Sequence, residues 1–394
     1  MFSHFNNLFA AKESSKNKIT FLGRGTYGCV IRPGIKSNNQ VDENAETITK
    51  IFYNKNAYKK ELDEYSVIKI FDPDNKFTVK LLANSEMDNE MPIINIGILR
   101  EQCEELFNYK QQSIYQIEYE YGGIDLKVLF RIKHKNILRN LNLHHFFKEF
   151  ANIFYGVNEM NKSGYTHFDI KHDNIVFNPT TYKFSLIDFG LLETTSDIFD
   201  TSHLKTDFNF RPPELLIVSY IYINKKVKKD VLLSAINRFK NFERIYFIQN
   251  DEIRELFIYY FITIYKTNLI KNNIIFNILL KMFAKINQVH AADILSDLQM
   301  TKNTYVNSNI DEACHLIKIE SDNIRQKYDI YMLGIALLYI IIEMFIQNNI
   351  NLHSIKIETI EKILILILKM IEPNPCLRIS INDAYNEYLA IFSD

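Results

Sequence analysis

The sequence lacks tryptophan and contains only 4 cysteines among its 394 residues. The cysteines lie far apart and form no CxxC pair; they are Cys29, Cys103, Cys314 and Cys376. This spacing argues against a zinc site and against a disulfide framework. We therefore expect an intracellular, cytoplasmic protein in a reducing compartment.

Neither sign of charge is in excess, because 46 Lys and Arg residues balance 47 Asp and Glu residues. This balance gives no indication of a nucleic-acid or membrane partner. The most apolar run, residues 333–346, includes Glu343 and is shorter than the roughly 20 residues that a bilayer requires. We interpret it as a buried helix. The first residues lack the basic and apolar regions of a signal peptide, so secretion is not expected.

Hydrophobic residues make up 47% of the sequence, which is enough for a two-lobed fold. Strand patterns dominate as far as Gly122 and Gly123, and helical patterns dominate after them. A glycine-free block at 217–322 is predicted to be a separate set of helices, whose apolar stripes favour packing over the alternative of a partner-docking surface. The predicted divisions are an extension (1–17), a β-rich lobe (18–121), a helical lobe in two parts (122–216 and 323–394) and the insertion (217–322).

A glycine-rich segment lies between two predicted strands and matches the pattern GxGxxGxV. Its candidate phosphate-binding residues are Gly23, Arg24, Gly25, Thr26, Tyr27, Gly28 and Val30. Glycines without side chains let backbone N–H groups approach phosphates. A dinucleotide-binding fold requires a helix directly after the glycines, whereas Val30 and Ile31 favour a strand.

Lys50 lies on the third predicted strand, and the helix predicted over 58–71 follows it. An ammonium group there reaches nucleotide phosphates if a carboxylate on the helix fixes it. Glu64 is the preferred partner, because apolar residues follow it at helical spacing. Glu61 is the alternative.

The segment YTHFDIKHDNIVFN, residues 165–178, matches the pattern HxDxKxxN, and SLIDFG follows at 185–190. Asp169 is the candidate group that accepts the proton of a substrate hydroxyl, and Lys171 neutralises charge on a transferring phosphoryl group. Asn174 and Asp188 supply hard oxygen ligands for magnesium.

These ordered motifs resemble those of the eukaryotic-type protein kinase family, over about Ile19 to Tyr388. The resemblance implies an α+β, two-lobed fold with a small β-rich N-lobe that carries one key helix. It also implies a larger helical C-lobe, here with a helical insertion. Lys171 resembles the serine/threonine branch, so the implied activity is transfer of the γ-phosphoryl group of ATP, held by Mg²⁺, to a protein substrate. The long insertion is similar to those of divergent kinases of large DNA viruses, which would place the protein in host cytoplasm or a virion.

The resemblance also assigns supporting roles. Glu120 and Tyr121 would offer backbone hydrogen bonds to adenine, with Tyr119 as the gatekeeper residue before them. Asp329 would brace the backbone of the catalytic loop. Glu214, in RPPE, would form a buried ion pair with Arg378.

Two positions depart from the family pattern. Phe168 stands where regulated kinases have an arginine that pairs with a phosphate, so we expect activity without phosphorylation of the activation segment. Asp207 stands where a threonine is common, with the neighbouring Thr206 as the alternative residue for that role after a one-residue shift. Phe168 and Asp207 are the features that favour the alternative of a pseudokinase, which binds without transfer. A small-molecule phosphotransferase of related fold and a non-enzymatic helical interaction protein are further alternatives. The RPPE segment and Asp329 argue for a protein substrate.

Overall fold

The computed structural model describes residues 19–25, 28–35, 46–87, 114–130, 134–194, 212, 326–346, 352–372 and 378–393. The chain divides into two compact units, Met1–Gly123 and Ile124–Asp394. An antiparallel sheet characterises the first unit, and helices predominate in the second. This mixed composition is consistent with the expected two-lobed, kinase-like fold. The predicted extension 1–17 and insertion 217–322 lie outside the described residues.

The first unit is built on a five-stranded antiparallel sheet with the order β1-β2-β3-β5-β4. Its strands are β1 (Thr20–Gly25), β2 (Gly28–Arg32), β3 (Thr47–Phe52), β4 (Leu81–Met87) and β5 (Ile114–Glu120). β-branched and aromatic residues suit these strands because their stiff side chains pack well on a pleated surface. The register places Val30 opposite Lys50, and Lys50 opposite Ile117.

Helix α1 (Lys55–Phe71) packs on one face of this sheet, around Phe52, Tyr58, Tyr115 and Ile117. It begins three residues before the predicted Tyr58, because the side chain of Asn54 accepts hydrogen bonds from the first free N–H groups of the helix. The opposite face buries a second cluster: Ile19, Cys29, Ile31, Ile35 and Ile51. Alternate residues of each strand therefore supply two separate apolar surfaces.

A buried carboxylate ends helix α1. Asp72, only 2% exposed, accepts hydrogen bonds from the backbone N–H groups of Lys76, Phe77 and Thr78 and from the Thr78 hydroxyl. These bonds fold the chain sharply between α1 and β4. The carboxyl end of α1 is thereby tied to the segment that leads into β4.

Cys29 in β2 is disulfide-bonded. The other three cysteines lie outside the described residues. The spacing of the cysteines did not predict this bond.

The second unit contains short strands and several helices. Strands β6 (Ile124–Asp125), β8 (Ile175–Phe177) and β9 (Phe184–Leu186) form one sheet in the order β6-β8-β9, and β7 (Tyr165–Thr166) pairs with β10 (Glu193–Thr194). The helices are α2 (Leu126–Leu129), α3 (Lys135–Asn140), α4 (Leu143–Glu149), α5 (Ala151–Lys162), α6 (Tyr328–Ile346), α7 (Ile357–Met370) and α8 (Ile381–Ile391).

Buried helix α6 confirms the interpretation of the apolar run at 333–346. Gly334 lets α6 approach the end of α7 closely, since an added Cβ would lie 2.8 Å from Ile371 and 2.9 Å from Met370. The Tyr388 hydroxyl of α8 donates to the carbonyl of Phe147, 2.6 Å away. In the segments that the structure describes, no helix has the length and apolar character needed to cross a membrane.

Candidate functional site

In the first unit, the glycine-rich segment forms the hairpin of β1 and β2, with Gly25 opposite Gly28 and Gly23 opposite Val30. A Cβ at Gly28 would collide with the carbonyl of Ile51 on β3, so only glycine fits there. Gly23 has open space where its Cβ would be. The candidates Thr26 and Tyr27, and the side chain of Arg24, lie outside the described part of the chain. Phosphate binding by this hairpin stays a prediction.

Lys50 is ion-paired in the structure, and its partner is Glu61. The Nζ atom of Lys50 lies 2.7 Å from Oε2 of Glu61, and the two side chains are 27% and 22% exposed. The preference for Glu64 as the partner was therefore wrong. Glu61 falls in the stripe of α1 that faces the sheet, together with Ala57, Tyr58 and Leu62, because these positions share one helix face.

Glu64 lies beside this pair, at the edge of the same helix face. Its Oε1 atom is 3.5 Å from Nζ of the exposed Lys60, and its own side chain is 17% exposed. Burial, and secondly the negative charge of Glu61, raises the pKa of Glu64 to about 7. Glu64 is thus partly protonated near neutral pH, whereas the Lys50 ion pair uses Glu61.

Tyr119 on β5 makes a contact that the sequence did not predict. Its hydroxyl donates a hydrogen bond to Oε1 of Glu61, 3.0 Å away. Tyr119 lies opposite Ile48 in the register of β3 and β5. Burial, followed by the charge of Glu61, raises the pKa of Tyr119 well above its usual value, so its hydroxyl is a donor at neutral pH.

The end of β5 was predicted to offer backbone hydrogen bonds to adenine. The N–H group of Glu120 already donates to the carbonyl of Lys80 at 2.9 Å, and that of Tyr121 donates to Glu46 at 2.7 Å. The backbone N–H group of Tyr121 is therefore already paired and does not donate to a ligand here. The guanidinium of Arg32 covers the ring of Tyr121. The carbonyl groups of Glu120 and Tyr121 stay candidates for this role, and adenine binding here stays a prediction.

In the second unit, the catalytic-loop residues form one network around Asp169. Its Oδ2 atom accepts hydrogen bonds from Nζ of Lys171 at 2.7 Å and from Nδ2 of Asn174 at 2.8 Å. Nδ2 of Asn174 also donates to the backbone carbonyl of Asp169. Within the described residues, Oδ1 of Asp169 has no hydrogen-bond donor, so this oxygen is the one suited to meet a substrate hydroxyl.

Asp329, the second residue of α6, holds the backbone that leads into Asp169. It accepts hydrogen bonds from the N–H groups of His167 at 2.7 Å and Phe168 at 3.0 Å. Burial raises the pKa of Asp329, and these bonds act in the opposite direction. The bracing contact that the family resemblance implies is therefore present.

Asp188 follows β9 and is exposed, with a left-handed backbone φ of 61°. The preceding residue, Ile187, donates its N–H group to the carbonyl of Asn174 at 3.0 Å, which places the two candidate metal ligands on adjoining backbone segments. The next residue, Phe189, packs on the ring of His167 with centroids 4.8 Å apart. Among the described residues, no cluster of three His, Cys, Asp or Glu side chains could hold a metal ion. A magnesium ion would thus depend on the Asn174 amide, the Asp188 carboxylate and oxygens of its own nucleotide.

Phe168 is buried against Tyr328, with ring centroids 5.8 Å apart, and it is 5% exposed. No cation occupies this position of the chain. The activation segment that follows SLIDFG contains the hydroxyl-bearing residues Thr201, Ser202 and Thr206, which are its candidate phosphorylation sites. They lie outside the described residues, as do Asp207 and Glu214. Arg378, the predicted partner of Glu214, donates hydrogen bonds to the backbone carbonyls of Glu372 and Lys327.

No protein-family model matches the chain. Part of the chain is similar to mitogen-activated protein kinase 5 of Arabidopsis thaliana, with 28% identity over 219 residues, or 55% of this chain. The chain spans about half the length of this curated relative, since the match covers 50% of it. This similarity relates the matched part of the chain to a protein kinase.

Proposed function

We propose that this protein is a serine/threonine protein kinase, which transfers the γ-phosphoryl group of ATP, held by Mg²⁺, to a hydroxyl of a protein substrate. The observation that carries the proposal is the network around Asp169. Its carboxylate is oriented by Lys171 and Asn174 through one oxygen, and Asp329 fixes the backbone on its amino-terminal side. Such orientation is what a group that accepts a proton from a substrate hydroxyl needs.

The residues present fit Mg-ATP. Asn174 uses its amide nitrogen for Asp169, which leaves its hard carbonyl oxygen for a cation, and the exposed carboxylate of Asp188 offers a second oxygen ligand. Bound Mg-ATP supplies the phosphoryl group, and its Mg²⁺ ion supplies part of the positive charge that neutralises the phosphates. Lys50 is the cation for the α- and β-phosphates, and the glycine hairpin provides backbone N–H groups for them.

Adenine is expected to meet the carbonyl groups of Glu120 and Tyr121. Lys171 lies 2.7 Å from Asp169 and therefore brings a positive charge to the point where the substrate hydroxyl would be. Phosphoryl transfer needs little covalent assistance from the protein, so positioning and charge are the contributions to expect.

The buried Phe168 supports activity that is independent of activation-segment phosphorylation. A phosphate on that segment usually acts through a paired cation, and an apolar ring cannot form such a pair. The protein substrate, and the use of residues 217–322 as a docking surface for it or for another partner, belong to the same proposal.

The test is phosphoryl transfer by the purified full-length protein from γ-labelled ATP with Mg²⁺ to a peptide library that contains serine, threonine and tyrosine acceptors. We expect label on serine or threonine, and a loss of at least about a hundredfold in Asp188→Asn with an unchanged circular dichroism spectrum. Asp74→Asn, at an exposed carboxylate of the first unit, is the matched control and should retain activity.

Nucleotide binding without any transfer by the wild-type protein would contradict the proposal and favour a pseudokinase. Transfer to small-molecule alcohols, with none to peptides, would contradict the protein substrate alone.

A further inference from the structure

The carboxylate of Glu61 is held from two neighbouring strands at once. Lys50 on β3 donates to Oε2 at 2.7 Å, and Tyr119 on β5 donates to Oε1 at 3.0 Å. Each oxygen of Glu61 thus has its own donor. A carboxylate held by two donors in different directions cannot rotate about its terminal bond without losing one of them.

We infer that Tyr119 is a positioning residue, whose hydroxyl fixes the carboxylate of Glu61 and thereby sets the place of the Lys50 ammonium. This inference rests on the proposed function for its effect on catalysis, but its geometric part holds for any ligand that uses Lys50. This positioning role requires the hydroxyl group of Tyr119 and does not depend on the size of its ring.

Tyr119 also explains which of two carboxylates binds Lys50. Glu61 and Glu64 lie three positions apart on α1. The negative charge of Glu61 acts on Glu64. Only Glu61 receives a hydrogen bond from the Tyr119 hydroxyl. Glu64 has the exposed Lys60 at 3.5 Å instead.

Among the described residues, the contact is one of three hydrogen bonds that join α1 to the sheet through tyrosine hydroxyls. The Tyr58 hydroxyl donates to Asn84 on β4 at 2.8 Å, and the N–H group of Leu81 donates to the Tyr65 hydroxyl at 3.0 Å. These two bonds lie toward opposite ends of the helix and do not include the ion pair. The bond from Tyr119 is the one that ends on the partner of Lys50.

The test compares Tyr119→Phe with Tyr58→Phe in the full-length protein. Each change removes one partly buried hydrogen bond that a tyrosine hydroxyl makes between α1 and the sheet. Only Tyr119→Phe removes a bond to Glu61. The first measurement is the rate at which Lys50 is acylated by acetic anhydride, followed by mass spectrometry and normalised to exposed lysines. We expect Lys50 to react several-fold faster in Tyr119→Phe and at the wild-type rate in Tyr58→Phe, because the Lys50 ammonium must leave its ion pair and release a proton before the free amine can attack the anhydride.

The second measurement is transfer activity at varied ATP concentration. Tyr119→Phe should lower kcat/KM for ATP by about tenfold, the effect of losing one hydrogen bond to a charged group. Tyr58→Phe should alter unfolding stability without this loss. A purely structural role for Tyr119 would give equal effects in the two variants.

Wild-type reactivity of Lys50 in Tyr119→Phe would overturn the inference. Faster acylation in that variant, together with no transfer by the wild-type protein, would uphold the positioning role and refute the proposed kinase activity.

Discussion

Glutamine in place of Glu64 should stabilise the first unit at neutral and alkaline pH and leave its stability unchanged in acid. The pKa of Glu64 is raised from 4.5 to about 7, first by burial and then by the charge of Glu61. Between these two values the folded protein holds a proton that the unfolded chain has released. The free energy of unfolding therefore falls as the pH rises from about 4.5 to about 7, and it is constant above that range.

The size of the effect follows from the shift. At about 1.4 kcal/mol per pH unit, the change corresponds to about 3 kcal/mol if it is expressed fully. The side chain is 17% exposed and Lys60 lies 3.5 Å away, both of which reduce the penalty of ionisation. We expect Glu64→Gln to gain about 1–3 kcal/mol at pH 8, and close to nothing at pH 4.5, where a protonated glutamate and a glutamine are nearly equivalent.

The assay is urea unfolding followed by circular dichroism at several pH values from 4.5 to 8, with hydrogen exchange of α1 peptides to assign the change to the first unit. Asp63→Asn, at an exposed carboxylate of the same helix, is the matched control and should show no such gain at pH 8. A difference between Glu64→Gln and wild type that is independent of pH would refute the reasoning, since it would show that Glu64 does not titrate in this range.

Two further predictions concern the glycine hairpin and the activation segment. Gly28→Ala should destabilise the first unit by more than about 2 kcal/mol, because a buried backbone carbonyl must move, whereas Gly23→Ala should unfold at nearly the wild-type urea concentration. Equal unfolding midpoints for the two variants would contradict the close approach of β2 to β3. Combined replacement of Thr201, Ser202 and Thr206 by alanine should leave kcat within about twofold of wild type, because Phe168 supplies no cation to a phosphate. A loss of tenfold or more would show that phosphorylation acts through another group.

Local pattern was sufficient to predict the elements that carry the candidate site. The strand–glycine–strand order, the strand with Lys50 and the helix after it follow from side-chain periods of two and 3.6, which depend only on neighbouring residues. The close spacing of Asp169, Lys171 and Asn174 in the sequence also predicted that the three residues share one loop. Their catalytic roles stay predictions.

The choice between Glu61 and Glu64 could not be made in this way. It depends on how α1 packs on the sheet, where Glu61 faces both Lys50 and Tyr119. The apolar flank of Glu64 correctly indicated a buried position, but burial raises the pKa of Glu64 and does not bring its carboxylate to Lys50. The bond from Tyr119 depends on the pairing of β5 with β3, and such long-range pairing leaves no periodic signal around Tyr119 itself.

Backbone strain gives an argument for function that does not depend on motif matching. Among the described residues, four non-glycine residues have a positive φ: Asn75, Phe168, Tyr182 and Asp188. Such conformations cost about 1–3 kcal/mol each and persist only where surrounding contacts impose them. Phe168 is held by Asp329 and Tyr328, and it lies directly before Asp169.

Asp188 has no comparable compensation from its own side chain, which is exposed. A protein that had lost all use for this carboxylate could relax to an ordinary backbone conformation at a gain in stability. The left-handed conformation of Asp188 beside Asn174, with Phe189 packed on His167, is therefore an observation in support of the proposed use of this carboxylate.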